Sequence, residues 1–244
     1  RVLFRSMYIF SVLVSIVKED APLYVVCIGM YFFFREKGYW RRLNGLIIAG
    51  LSGTYMIIVT KWLTENGDGK FMTSTRFGHL LIDPDGGFAE IVKNVLVDPS
   101  YFFNLLIKEH TITFFVQIML PLLFMPFFTK KIHRFLLILP FTITNLVVGA
   151  GYGYAASIGY QYIFGPVCLL IYMSIINLDD LDGFRKNNLP IVMGSASLMI
   201  STAMFTGHLG HIESYRNSEE YFTQLEEMLD RVPQEASVRS EEHT

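Results

Sequence analysis

The stretch Leu43-Asn-Gly-Leu-Ile-Ile-Ala-Gly-Leu-Ser-Gly-Thr-Tyr-Met-Ile-Ile-Val-Thr60 decides how this chain is read. It carries no charge and lies between Arg41-Arg42 and Lys61. A bilayer-crossing helix needs about 20 mostly apolar residues, with about 17 tolerated, whereas a helix on a soluble core needs only one apolar stripe. Similar runs recur at Met7–Val17, Ala21–Phe34, Thr111–Phe128, Phe135–Ala150, Ile158–Leu178 and Leu189–Thr206. About seven spans are therefore predicted, in an all-α polytopic transmembrane helix bundle over residues 7–206.

Composition points the same way. Of 244 residues, 52% are hydrophobic and 17% charged, against about 25% charged in an ordinary soluble domain. Membrane lipids are the expected surroundings. The net charge of -2 excludes a nucleic-acid partner, because neutralising phosphates needs a basic face. Cys27 and Cys168 sit in apolar runs without a CxxC or a neighbouring His, so neither a disulfide framework nor a thiolate metal site is indicated.

Lys and Arg in short loops mark the cytoplasmic side. Arg35, Lys37, Arg41 and Arg42 crowd one connection, Lys130, Lys131 and Arg134 a second, Arg185 and Lys186 a third. With the spans above, strict alternation puts all three on one side. The other face then carries Lys18-Glu19-Asp20, the long segment 61–110, the uncharged Gly151–Tyr154 connection and the tail 207–238. The expected location is the plasma or inner membrane of the cell, with the long loop and the tail extracytoplasmic.

Within 61–110, Phe88, Ile91, Val92, Val95 and Leu96 repeat at helical spacing while Glu90, Lys93 and Asn94 take the other face. Asp98 is placed to N-cap a second helix with Pro99 at its first position, and Tyr101, Phe102, Leu105 and Leu106 line one side of that helix. Both are expected to lie in the outer membrane interface, with a small insert packed on itself as the alternative. In the tail, Asn217 and Glu220 have capping-box spacing, and Tyr221, Phe222, Leu225, Met228, Leu229 and Val232 form an apolar stripe ending at Pro233. That helix is too charged to span, and it reads as the start of a C-terminal soluble segment.

Lys18-Glu19-Asp20 places three ionisable residues between two apolar helices, and charges near membrane depth usually mark function. Lys18 also suits a helix C-terminus and Asp20 an N-cap with Pro22 behind it, which leaves Glu19 without a structural reason. Arg76 and His79 lie in Arg76-Phe-Gly-His-Leu80; a guanidinium there can grip a phosphate bidentately or be merely solvated. Tyr152, Tyr154, Tyr160, Gln161 and Tyr162 offer rings and hydroxyls to a sugar or a lipid, or form an interfacial aromatic belt. Asp180-Leu-Asp182 has a form that can hold a divalent cation through carboxylate oxygens, but the spacing is common by chance and falls on the cytoplasmic side. His208, His211 and Glu213 lack the His-Glu-x-x-His spacing of a zinc helix, and Gly210 weakens a helix there. No metal site is assigned; a divalent cation is the sole cofactor candidate. Gly45, Ala49 and Gly53 repeat at i+4, as do Ser197 and Ser201, the spacing that lets helices approach closely.

Taken in order, Lys18-Glu19-Asp20, Arg76-Phe-Gly-His-Leu80, the apolar run Pro121–Pro126, Tyr160-Gln-Tyr162 with Pro166, and Val232-Pro-Gln-Glu-Ala-Ser-Val238 resemble a family of prokaryotic polytopic membrane proteins of unknown function. That family is related to GT-C-type glycosyltransferases, which take sugars from polyprenyl-phosphate donors. The resemblance runs over most of Met7 to Val238. It implies a lipid-phosphate donor held on the outer face and a catalytic carboxylate in the first outer loop. The family often has His near the Tyr160–Tyr162 position, where this chain has Gln161.

Arg1–Ser6 and Arg239–Thr244 resemble translated adapter text. On that reading the chain is a fragment, and the catalytic loop lies upstream of Met7. The expectation is thus part of an integral membrane glycosyltransferase-like protein with no assignable base. Lys18, Glu19, Asp20, Arg76, His79, Tyr160, Gln161 and Tyr162 are its expected substrate-binding residues. The rival readings are a transporter or flippase, which predicts broken helices and charges at mid-span, and a non-catalytic scaffold.

Overall fold

An apolar run in lipid must satisfy its backbone hydrogen bonds within itself, so it becomes a helix. The computed structural model describes residues 2–18, 20–66, 76–82, 88–181, 183–205 and 216–232. Its helices are α1 (Val2–Val17), α2 (Ala21–Arg35), α3 (Tyr39–Asn66), α4 (Phe88–Val97), α5 (Pro99–Leu106), α6 (Glu109–Met119), α7 (Phe164–Asp179), α8 (Gly183–Phe205) and α9 (Glu219–Asp230). Among the described residues there is no strand. The chain divides into two compact units, Arg1–Ser197 and Leu198–Thr244.

In the first unit, α2 and α3 run antiparallel at close range. A Cβ added to Gly29 would lie 2.7 Å from both the Ala49 nitrogen and the Gly45 carbonyl oxygen. The small-residue row Gly45, Ala49 is therefore the contact surface between these helices, as its spacing predicts. Parallel to α2 lies α7. A Cβ on Gly165 would meet the Tyr24 ring at 2.5 Å, and seven residues further along each helix the rings of Tyr31 and Tyr172 meet edge-on at 6.5 Å. The centre is filled by Tyr31, Phe114, Met119, Leu137, Phe141, Leu170 and Met173, all buried. Outward, Ile9, Phe10, Leu51, Ile57, Phe164 and Ile175 are each more than half exposed. So much apolar side chain turned outward is the surface of a protein solvated by lipid.

Among the described residues, two helical stretches are long and apolar enough to cross a bilayer, Tyr39–Leu63 with 25 residues and Gln161–Asp179 with 19. The other expected spans are shorter or interrupted. The 15 residues of α2 rise about 22 Å, short of a hydrocarbon core of about 30 Å. The expected span Thr111–Phe128 stops as α6 at Met119, and the chain then turns through Leu123 and Phe124, both left-handed (φ 49° and 55°). Phe135–Ala150 is likewise not one helix. A 3-10 segment Ile132–Leu137, a single α turn Leu139–Phe141 and a π-helical segment Thr142–Val147 follow one another. Pro121, Pro126 and Pro140 supply the physical reason, since each lacks a backbone donor and crowds the preceding turn.

Where α2 and α7 end, charged groups from separate segments knit together. Asp180 accepts ion pairs from Lys131 Nζ and Arg134 Nη1, each at 2.7 Å. Arg134 also donates to Asn177 Oδ1 at 2.6 Å, and the Asn177 amide donates to the carbonyls of Met125 and Pro126 at 2.8 and 3.2 Å. This network holds the left-handed turn. Both Asp180 oxygens therefore already face cations of the protein, and Asp182 lies outside the described residues.

The cap at Asp98 forms as its position predicts, with its carboxylate accepting the Tyr101 N–H at 3.0 Å. In the second unit, α9 starts one residue later than the Asn217–Glu220 spacing predicts. Ser218 occupies its N-cap without a side-chain capping bond, so the capping box does not form. His208, His211 and Glu213, and the stretch from Pro233 onward, lie outside the described residues.

Candidate functional site

The end of the bundle where α2 begins carries the site. Asp20 stands at the N-cap of α2, but its carboxylate makes no capping bond. Instead Oδ2 accepts from Lys18 Nζ and from the Tyr24 hydroxyl, each at 3.2 Å. The N-cap expectation is thus correct in position and wrong in bonding, because Tyr24, one turn on, competes for the oxygen. Oδ1 is buried without a hydrogen-bond partner among the described residues. Glu19 lies outside the described residues.

Across from Asp20, two cations gather on one ring. Lys18 Nζ lies 4.3 Å from the Tyr162 ring centre and Arg76 Cζ 5.7 Å from it, within range for cation–π attraction. Tyr162 is held from behind. Fully buried Asn145, on the π-helical segment, donates to the carbonyls of Ala155 at 2.7 Å and Tyr162 at 3.3 Å. π-helical turns are frequent at functional sites, and Ile143, Thr144 and Val147 from this one, with Val148 just after it, line a cavity.

That cavity has a volume of about 440 Å³, within the range of small-molecule sites. Its walls come from Leu23 of α2, Met56 and Thr60 of α3, Ile91 and Val95 of α4, and Phe102 of α5, among others. Asp20, Arg76, Tyr152 and Tyr162 also line it. It is an apolar chamber with its charges gathered at one pole.

Ile91 of α4 and Leu105 of α5 are buried against Leu80 and Val147, so part of each apolar face packs on the bundle, while Leu96, Val97, Tyr101 and Phe103 stay exposed, as helices at a membrane interface would leave them. His79 belongs to this fastening. Its Nε2 lies 3.0 Å from the Val147 carbonyl, and the Tyr101 hydroxyl donates to its own carbonyl at 2.9 Å. Gly151 leaves the room its ring occupies. Burial holds the His79 imidazole below its ordinary pKa, with Lys108 adding to the effect. His79 is not among the residues lining the cavity.

Of the expected site residues, Lys18, Asp20, Arg76 and Tyr162 come together. Tyr160 and Gln161 stand beside them, exposed. Tyr24, Thr144 and Asn145 complete the arrangement, and sequence reading missed all three. Asn145 did leave a signal, being a carboxamide inside an apolar run, where polar groups seldom sit idle. Among the described residues no three His, Cys, Asp or Glu side chains come together to hold a metal.

Helices faced with apolar side chains define a membrane protein that is all-helical among the described residues. The chain belongs to the family described as "Predicted membrane protein (DUF2079)", whose model matches residues 4–243. No curated protein and no solved structure matches it.

Proposed function

We propose that the chamber holds the phosphate-bearing end of a membrane lipid, and that the protein transfers a sugar from a polyprenyl-phosphate donor on the extracytoplasmic face. The observation that carries this reading is the division of the chamber into apolar walls and a pole lined by Asp20, Arg76 and Tyr162, beside which Lys18, paired with Asp20, lies over the same Tyr162 ring. An isoprenoid chain fits such walls by apolar burial, and a phosphodiester fits a guanidinium fork. Lys18 and Arg76 would stabilise charge developing on the leaving phosphate. The sidedness is supported by the chain's own charges, since α2 and α7 begin at Asp20 and Tyr162 and end near Arg35, Lys131 and Arg134.

The test uses the purified protein in lipid nanodiscs with a radiolabelled polyprenyl-phosphate sugar. Donor should bind, and Arg76→Ala should weaken it about tenfold or more, as loss of a charge-assisted contact does. A donor that binds both forms equally, or neither, rejects the reading.

A second reading is lipid or solute translocation, favoured by one specific observation. The chain is broken between Met119 and Val147, with left-handed residues and a π-helical segment inside an apolar region, the kind of interruption transporters use. Movement of a labelled lipid between leaflets of proteoliposomes, without sugar release, would select it.

A further inference from the structure

Four tyrosines form a continuous line on the connection before α7. The rings of Tyr160 and Tyr154 lie 4.8 Å apart, those of Tyr154 and Tyr152 5.3 Å, and those of Tyr152 and Tyr162 6.1 Å, all edge-to-face. Its far end is open, with Tyr160 45% and Tyr154 52% exposed. Its near end lies in the chamber, lined by Tyr152 and Tyr162. From Gly151 to Tyr162 there is no charged residue.

The line is built on a fixed base. Ala155 and Ala156, between the tyrosines, are buried, and a Cβ on Gly149 would collide with Ala156. Asn145 clamps both short 3-10 turns, Gly153–Ala156 through Ala155 and Gln161–Ile163 through the Tyr162 carbonyl just inside it. An aromatic belt needs rings spread around the protein at one membrane level. Here they are contiguous and lead inward, from open surface to the ionic pole.

We infer that Tyr160, Tyr154, Tyr152 and Tyr162 form a track that binds a neutral saccharide and delivers its end to the pole of the chamber. The inference rests on the proposed sugar transfer and names the class of acceptor. Ring surfaces and phenol hydroxyls, with the exposed Gln161 amide between two of them, match the mixed C–H faces and hydroxyls of a pyranose chain. Cations meet the track at its inner end alone among the cation–ring contacts of the described residues, where Lys18 and Arg76 lie over Tyr162; a nucleic acid or an acidic polymer would need cations along its whole length.

The test measures binding of maltohexaose, cellohexaose and mannohexaose to the full chain in nanodiscs, with an oligogalacturonate of equal length as the charged comparison. At least one neutral saccharide should bind, and more tightly than the oligogalacturonate. Tyr154→Ala and Tyr160→Ala should each weaken it about tenfold, with Tyr154→Phe within about twofold and Tyr39→Ala, at the other end of the bundle, unchanged. Equal thermal midpoints for Tyr154→Ala and wild type separate lost binding from lost folding, and Tyr154→Phe supplies a second reading if they differ. The inference is overturned if no neutral saccharide binds or if the alanine variants bind like wild type. Binding of the polyprenyl-phosphate sugar is read in the same nanodiscs: if it persists while saccharide binding fails, only the track is refuted; if both fail, the proposed function falls with it.

Discussion

Replacing Gly45 and Gly50 by alanine, one at a time, should move stability in opposite directions although both lie in α3. A Cβ at position 45 would sit 2.7 Å from the Gly29 oxygen and 2.7 Å from the Phe33 nitrogen, while at position 50 it meets nothing within 4 Å. Alanine gains about 1 kcal/mol over glycine in a helix interior, and Gly50→Ala should keep most of that gain. At Gly45 both obstacles are backbone, so no side chain can swing away and α2 must move outward. Overpacking of this kind costs about 1–3 kcal/mol, so Gly45→Ala should lose up to about 2 kcal/mol after the propensity gain. Thermal unfolding in detergent, followed by circular dichroism, should place the Gly45→Ala midpoint below wild type and the Gly50→Ala midpoint at or above it. Equal midpoints, or a stabilised Gly45→Ala, would refute the close approach of α2 to α3.

Asp180→Asn should destabilise the protein by about 2 kcal/mol, a value reduced for the partial exposure of the carboxylate, because it leaves buried Arg134 short of a counter-charge; adding Arg134→Met should restore part of the loss in the same unfolding assay. Burial alone would raise the Asp180 pKa, but hydrogen bonds and charge from Lys131 and Arg134 hold it below 3.8. Its contribution is therefore complete above that pH and is lost as pH falls through the lower folded value, so the wild-type and Asp180→Asn midpoints should converge in acid. His79, held below its ordinary 6.5 by burial, contributes fully above that value and loses its contribution as pH falls through its folded pKa; His79→Gln should flatten the acid slope of the midpoint. In intact cells, Ser100→Cys in a Cys168→Ala background should react with a membrane-impermeant maleimide and Lys37→Cys should not; the reverse pattern would invert the proposed sidedness.

Much of the helical plan was legible because it rests on local rules. Apolar runs need internal hydrogen bonds in lipid, and Asp98-Pro99 carries a complete start signal in two residues. Helix ends were less so. The helix α3 continues through Arg41 and Arg42 at one end and to Asn66 at the other, because charge ends a hydrophobic run without ending a helix. Pro121, Pro126 and Pro140 carry a local signal for the breaks, but the turn at Leu123 and the segment Thr142–Val147 are also held by Asn177 and Asn145 reaching carbonyls of other segments, which no local pattern records. At the site, Lys18, Asp20 and Arg76 stood out as charges beside apolar runs. Tyr24 did not, although its link to Asp20 is local, one turn along α2; what the sequence hid is that its ring packs against Gly165 of α7. His79 stood out within Arg76-Phe-Gly-His-Leu80, but its contact with the Val147 carbonyl, 68 residues away, leaves no trace in that motif.

The most direct test is photocrosslinking with a polyprenyl-phosphate sugar bearing a diazirine on its lipid chain, in nanodiscs, read by peptide mass spectrometry. The account predicts labelling concentrated on Met56, Val95 and Phe102, and its loss in Arg76→Ala. Labels spread over the outward residues Phe10, Leu51 and Phe164, unaffected by that substitution, would contradict it.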